Sequence, residues 1–134
     1  MLEIQIQNIL FRNFKKKYAH VLKEAPVFSR SIDLVYVNKE REVISIEIKI
    51  NDWRRAIDQA ADHQLVVDRS YICLPNKKKG VSGELSNLLD STGIGLFFFE
   101  KKSKTIELEE IRPAQKTDFS WQPSREQLEK LLYA

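Results

Sequence analysis

The stretch Val43-Ile44-Ser45-Ile46-Glu47-Ile48-Lys49-Ile50 decides the fold, because its apolar residues alternate with polar ones as in a buried β-strand. Successive side chains of a strand point to opposite faces, so the four isoleucines share one face while Glu47 and Lys49 share the other. An ionised acid and an ammonium group in so apolar a strand are costly to desolvate unless they are paired, hydrogen-bonded or bound to a metal. The pair is therefore either a structural salt bridge or a functional site.

Asp33 favours the functional site. It lies in a second strand-like run, residues 31–37, and the polar residues 38–41 between the two runs are typical of a hairpin turn. Folding that hairpin brings Asp33 beside Glu47, so that two carboxylates and one ammonium group lie close together.

Asp33, thirteen intervening residues and then Glu47-Ile48-Lys49 resemble the signature of the PD-(D/E)XK nuclease superfamily, which includes restriction endonucleases, RecB-like nucleases and archaeal junction resolvases. Ile32 stands where the family name has proline. The resemblance implies an α/β fold with a restriction endonuclease-like core. We expect a central mixed sheet of four to five strands flanked by helices, in the order α-β-β-β-α-β-α-β.

The resemblance also implies a divalent cation, Mg²⁺ or Mn²⁺, held by Asp33, Glu47 and the backbone carbonyl of Ile48. Mg²⁺ prefers hard oxygen ligands, which suits this set. Glu24 precedes the first site strand and is a further candidate ligand, although a solvated glutamate is an equally good interpretation.

The resemblance also implies a role for Lys49, which points the same way as Glu47: it would orient or help deprotonate the attacking water and offset developing charge. Gln59 resembles the helical glutamine of RecB-like members and would position the reacting groups. Arg55, Gln59 and His63 are spaced at i, i+4 and i+8 and form one stripe of a helix. The tyrosine that often follows that glutamine is replaced by His63, for which we expect a solvated helix face.

Helical and strand-like patterns also precede and follow this hairpin. Further side chains are candidates for contact with a nucleic-acid backbone, although solvated positions also explain them: Arg30, Arg54, Arg55, Lys77, Lys78 and Lys79. The run Lys15–Lys17 fits a helix end better than a phosphate site. The predicted elements are a helix over the first eighteen to twenty-two residues, an extended edge segment at Glu24–Arg30, a helix with the apolar face Trp53, Ile57, Ala60, Ala61 and Leu65, a strand at Arg69–Pro75, a short helix at Val81–Ser91 ending at Gly93, a strand at Ile94–Phe99, an optional edge strand at Thr105–Ile111 and a last helix after the Ser124 cap.

Length and composition predict one folded domain. The chain has 134 residues, 43% hydrophobic and 31% charged, with a net charge of +3 that permits a nucleic-acid partner. We expect a nuclease-like domain over residues 1–111 and a tail over 112–134 whose short helix packs on the domain or on a partner chain. Cys73 lies in an apolar run and is expected to be a small buried hydrophobe. No apolar run approaches membrane-spanning length, so we expect a cytoplasmic protein without membrane contact.

The sequence thus predicts a metal-dependent endonuclease that hydrolyses phosphodiester bonds of DNA, or less readily RNA, as a homodimer without a small-molecule cofactor. An alternative is an inactive nucleic-acid-binding or partner-binding domain of the same fold in a repair, restriction or mobile-element system. A third interpretation is an α/β protein in which Glu47 and Lys49 form only a salt bridge.

Overall fold

The computed structural model of the protein describes residues 1–28, 30–78 and 80–134. The helices are α1 (Glu3–Lys17), α2 (Trp53–His63), α3 (Gly83–Thr92) and α4 (Gln122–Leu132). The strands are β1 (Val21–Val27), β2 (Arg30–Val37), β3 (Val43–Ile48), β4 (Arg69–Pro75), β5 (Gly95–Lys102) and β6 (Thr105–Arg112).

The six strands form one mixed sheet in the order β1-β2-β3-β4-β5-β6. The three central strands β3, β4 and β5 are parallel, and the outer pairs are antiparallel. Helices α2 and α3 make the crossovers that parallel neighbours require. The predicted α/β class and mixed sheet are confirmed, but the sheet has one strand more than expected. The additional strand is β6, which extends the far edge.

Helix α1 is shorter than predicted, because its apolar spacing continues by chance into the first strand. The chain turns extended at Tyr18, and Val21 and Leu22 pair with Tyr36 and Val35 of β2. Pro26 lies in β1 at the edge of the sheet, where its missing N–H removes no ladder bond from a central strand.

The sheet is covered on both faces. On one face α1 packs Ile6 and Leu10 against the isoleucines of β3. On the other face α2 and α3 cover β4 and β5, and α4 packs Leu128 and Leu132 over β1 and β2. This leaves β3 with all six of its residues buried, so the charged group that it carries is surrounded by protein.

Helix α2 begins where the sequence indicated, with Asp52 as the capping residue that accepts a hydrogen bond from the Arg55 N–H. Its buried face includes His63, and Leu65 lies beyond the helix with 39% of its surface exposed. The predicted apolar face was therefore wrong at its carboxyl end. Helix α4 begins two residues before the predicted Ser124 cap, because Pro123 is well accommodated in a first helical turn.

Helix α4 is attached to the sheet by charge as well as by apolar packing. The Arg125 guanidinium donates to both carboxylate oxygens of Asp68, at 3.2 and 3.1 Å, and Asp68 Oδ2 accepts the Val43 N–H at 2.7 Å. These contacts link α4 to the start of β3. The domain boundary at residue 111 stays a prediction.

Cys73 is completely buried in the face of the sheet under α1, and burial raises the pKa of its thiol well above the usual value. No helix formed by the described residues combines the length and the apolar character needed to cross a membrane.

Gly95 opens β5 where the chain passes close to its neighbours. A β-carbon at this position would overlap the Tyr71 ring and lie 2.7 Å from the backbone nitrogen of Ala114.

We expect Gly95→Ala to lower the free energy of unfolding by about 1–3 kcal/mol, since an overfilled core must shift. Urea denaturation measures this. Gly83→Ala is the matched control, because a β-carbon there meets nothing within 4 Å, and it should leave stability equal or raise it by about 0.4–1 kcal/mol.

The Asp68–Arg125 pair predicts a pH dependence of stability. Although partial burial alone would raise it, hydrogen bonds from Arg125 and the Val43 N–H lower the pKa of Asp68 below its usual value. The stabilisation is therefore complete above the unfolded-state pKa of about 3.9 and is lost as the pH falls through the lower folded-state value. Asp68→Asn should destabilise the protein by about 1–3 kcal/mol at pH 7, and the difference from wild type should shrink below pH ~4. The exposed Asp118→Asn variant should have no such effect. An equal loss of stability in both variants would contradict a stabilising role of the Asp68–Arg125 pair.

Candidate active site

Asp33 and Glu47 meet where the ladder between β2 and β3 ends. Its last pair is Leu34 with Ile46, and the same register places Asp33 level with Glu47. Beyond that pair, the Ile48 N–H donates to Oδ2 of the Asp33 side chain at 2.9 Å, in place of a backbone carbonyl of β2. Gln7 of α1 donates its side-chain amide to the Asp33 carbonyl at 2.9 Å. The hairpin thus brings the two carboxylates together as the sequence indicated.

Glu47 is buried to an unusual degree for a carboxylic acid. Only 2% of its surface is exposed, and its Oε2 atom has no hydrogen-bond partner among the described residues. Burial raises the pKa of Glu47 well above its usual range, and the neighbouring Asp33 raises it further. A divalent cation would reverse this preference, because its charge favours the ionised acid.

Two side chains of α2 also have buried polar atoms without partners among the described residues. Gln59 Oε1 and His63 Nδ1 are buried and form no hydrogen bond with described residues. The predicted solvated position of His63 is wrong, since it is 2% exposed. Three unpartnered polar atoms in a packed interior indicate a place for water or a cation, because native proteins rarely leave such groups unsatisfied.

His63 and Glu47 do not form an ion pair at neutral pH. Burial lowers the pKa of His63 to about 4, helped by the charge of Arg30, so the imidazole is neutral at pH 7. Its Nδ1 lies 3.6 Å from Glu47 Oε2, which exceeds the length of a normal hydrogen bond.

Lys49 follows β3 and lies at the edge of the site, with 18% of its side chain exposed. Its Nζ is 3.8 Å from Oε1 of Glu3, and the other oxygen of Glu3 accepts the Ile50 N–H at 2.9 Å. Glu3 and Gln7 were not among the residues predicted from the sequence. Their i, i+4 spacing beside the buried Ile6 and Leu10 was the available signal, since it puts two polar groups on one stripe next to the apolar face of α1.

Glu24 lies on the edge strand level with Asp33. Its neighbours Lys23 and Ala25 pair with Leu34 and Ile32, and its own φ of 53° is in the left-handed region. Its side chain is exposed and makes no hydrogen bond with the described residues. A role for Glu24 as a further ligand stays a prediction.

The site offers oxygen atoms in a set that fits a hard cation. The carboxylates of Asp33 and Glu47 and the unpartnered amide oxygen of Gln59 belong to the ligand types that Mg²⁺ accepts. No group of three His, Cys, Asp or Glu side chains with metal-binding geometry occurs within residues 1–28, 30–78 and 80–134. A cation here would therefore use few protein ligands and keep several waters, as Mg²⁺ commonly does.

Two of the side chains predicted to contact nucleic acid, Arg54 and Arg30, interact with other groups of the protein. Arg54 lies over the Trp53 ring at 4.4 Å and donates from Nε to Glu84 Oε1 at 3.2 Å. The Arg30 guanidinium lies 3.9 Å from Asp62. Both cations remain more than half exposed, so a phosphate could compete for either.

Three other predicted contacts are exposed and form no ion pair with the described residues: Arg55, Lys77 and Lys78. Arg55 lies in the first turn of α2. Lys77 and Lys78 follow β4, which runs parallel to β3 with Cys73 opposite Ile48, so both lysines lie at the end of the sheet that carries Lys49. Lys79 is outside the described residues.

No protein-family model and no curated protein matches the chain. Among solved structures, it is similar to a protein of unknown function from Silicibacter pomeroyi with a TM-score of 0.64 and 15% identity, over 99% of this chain and 85% of the other. It is also similar to a repair endonuclease from Pyrococcus abyssi with a TM-score of 0.56 and 18% identity, over 76% of this chain. The match covers 48% of the endonuclease, so the chain corresponds to about half of that protein. At these identities the similarity establishes the fold, which this chain shares with part of a repair endonuclease.

Proposed function

We propose that this protein is a Mg²⁺- or Mn²⁺-dependent nuclease of the PD-(D/E)XK superfamily that hydrolyses phosphodiester bonds of DNA, with RNA a less favoured substrate. The observation that carries the proposal is the juxtaposition of Asp33 with a buried Glu47 whose Oε2 has no hydrogen-bond partner among the described residues. A structural salt bridge does not explain this arrangement, because Lys49 contacts Glu3.

The proposed ligands are the carboxylates of Asp33 and Glu47 and the Ile48 carbonyl. When bound, the cation supplies Lewis-acid activation of water and stabilises charge on the phosphoryl oxygens. The Asp33 carboxylate is oriented for this by the Ile48 N–H. The Ile48 carbonyl belongs to the next peptide, whose Lys49 N–H donates to the Cys73 carbonyl at 3.0 Å.

Hydrolysis joins a water oxygen to phosphorus and breaks the bond from phosphorus to the leaving sugar oxygen. Lys49 would orient the water and offset the charge that develops on the phosphoryl group. Glu3 restrains its ammonium at the rim of the site. Gln59 would accept a hydrogen bond through its buried Oε1 and so position the attacking water.

Arg55, Lys77 and Lys78 border the same end of the sheet and would hold the phosphate backbone without reading its sequence. Arg30 and Arg54 would add to this surface by exchanging Asp62 and Glu84 for phosphates. Many nucleases cut two strands with two chains, and the proposed homodimer would meet that need.

Metal binding predicts a stability shift that does not depend on cleavage. Adding Mg²⁺ or Mn²⁺ at about ten times its Kd should raise the free energy of unfolding of the wild type by about 1.4 kcal/mol. Asp33→Asn and Glu47→Gln should lose this shift. Glu47→Gln should fold at least as stably as wild type without metal, since it removes a buried acid that faces Asp33. Thermal melting with metal and with chelator measures both effects, and exposed Glu107→Gln should behave as wild type.

Cleavage of supercoiled, linear, single-stranded and branched DNA tests the activity. Wild type should cut at least one substrate with Mg²⁺ or Mn²⁺ and none with chelator. Asp33→Asn and Lys49→Ala should each lower the rate at least ~100-fold, as expected when a group acting at the reacting atoms is removed. Exposed Lys104→Ala is the matched control for charge and for contaminating nucleases.

The two measurements together separate the alternatives. Metal-induced stabilisation without cleavage of any substrate would favour a binding domain that keeps the metal site. Absence of both from the folded wild type would overturn the nuclease assignment and leave the inactive nucleic-acid- or partner-binding domain as the better interpretation.

A further inference from the structure

A cavity of about 280 Å³ lies at the end of the sheet opposite the candidate active site. It is bounded by the segment after α1, the turn between β2 and β3, and the end of α4. Along β2 the turn begins five residues after Asp33, which is roughly 16 Å for a strand. A ligand in this cavity would therefore not reach the carboxylates.

The walls of the cavity are fixed by contacts between three elements. His20 Nδ1 donates to the Leu132 carbonyl at 2.9 Å, because a carbonyl can only accept. The His20 carbonyl accepts the Val37 N–H at 3.1 Å, and the imidazole lies edge-on to the Tyr133 ring at 4.6 Å. These hydrogen bonds and the aromatic contact hold the walls of the cavity in place.

The lining carries three cations, Lys17, Lys39 and Arg41, and no carboxylate. None of the three forms an ion pair with the described residues. The nearby acid of the turn, Glu42, is occupied by hydrogen bonds from Asn38 and Arg69. Three unneutralised cations around one cavity favour an anion with several acceptor oxygens, and phosphate is the common biological example.

Arg41 adopts a backbone conformation that a side chain of its size seldom accepts. Its φ is 65°, and its N–H donates to the Asn38 carbonyl at 3.0 Å to close the turn. Glycine or asparagine would be less strained at this position. The turn itself therefore does not require arginine at this position.

An aromatic surface adjoins the cations. The Tyr18 ring is held by Phe14 and Tyr36, with centroid distances of 5.7 and 4.6 Å, and Lys17 Nζ lies 5.5 Å from its centroid. Tyr18 also lines a second cavity of about 370 Å³ under α1, together with Phe97. A planar base stacks readily on such rings, while the cations beside it hold a phosphate.

We propose that this cavity binds a phosphorylated nucleotide, with the phosphate at Lys17, Lys39 and Arg41 and the base against Tyr18. The nucleotide is either free or part of a nucleic-acid strand, and both present the same chemistry. The site is separate from the carboxylates and does not depend on the proposed nuclease function.

Calorimetric titration of the whole chain in chelator tests the proposal without cleavage. The probes are 2′-deoxyadenosine 5′-monophosphate, deoxyadenosine, inorganic phosphate and a short single-stranded oligonucleotide. We expect the nucleotide to bind more tightly than the nucleoside or phosphate. Arg41→Asn and Lys39→Ala should each weaken it at least ~5-fold, as expected for loss of a charge-assisted contact. Arg41→Asn should fold normally, because asparagine tolerates a positive φ.

Two controls make the result specific. Exposed Lys16→Ala removes the same charge from α1 outside the cavity and should change affinity less than about twofold, as expected for a screened distant charge. Asp33→Asn should leave binding unchanged, so that failure of the nuclease proposal does not affect this one. An oligonucleotide that binds far more tightly than the mononucleotide, and loses affinity in Arg41→Asn, would identify the strand as the ligand; equal affinities would identify the free nucleotide. Absence of binding, or binding insensitive to both cavity variants, would overturn the proposal.

Discussion

The structure depends on one costly arrangement, a carboxylic acid buried in the strand β3 with one oxygen that has no partner in the described part of the chain. Burying an unsatisfied polar group costs about 1–3 kcal/mol, and Glu47 is only 2% exposed. A chain that merely needed a stable sheet would place an apolar residue at this position, as it does at Ile46 and Ile48. The surrounding elements must therefore both offset this cost and hold Glu47 beside Asp33.

The elements around the site hold Glu47 beside Asp33 through hydrogen bonds between side chains and the backbone. The Asp33 carboxylate takes the place of a ladder partner for Ile48, so the strands separate at this point without losing a backbone hydrogen bond. From the opposite face, Gln7 binds the Asp33 carbonyl and Glu3 binds the Ile50 N–H, so α1 reinforces the two strand segments that flank the site. The unusual polar groups are thus tied to the backbone, and the apolar packing of β3 is left intact.

The predicted placements that the structure reproduces are those fixed by short-range geometry. Alternation along β3 determines which side chains share a face with Glu47, and a short hairpin leaves little choice about its partner strand. The burial of His63 and the role of Glu3 were not predicted, because their positions depend on how α2 and α1 are rotated against the sheet. Local periodicity determines that rotation poorly. The end of α1 was predicted too late in the chain for a related reason. Val21 and Leu22 satisfy helical spacing, but they gain more stability by pairing with β2. The sixth strand β6 was foreseen only as an optional edge, because an edge strand has one neighbour to specify it.

The two ends of the hairpin are built on opposite electrostatic principles. At one end acids are gathered in a buried place, where their mutual repulsion favours either a bound proton or a cation. At the other end Lys17, Lys39 and Arg41 surround an open cavity, where their charges are solvated and available to an anion. The sheet keeps these groups apart by several strand residues, so neither neutralises the other. Because the hairpin carries Asp33 and Glu47 at one end and Lys39 and Arg41 at the other, a change in its strand register would displace both sets at once. The packing of α1 on one face and the Asp68–Arg125 link to α4 on the other hold that register.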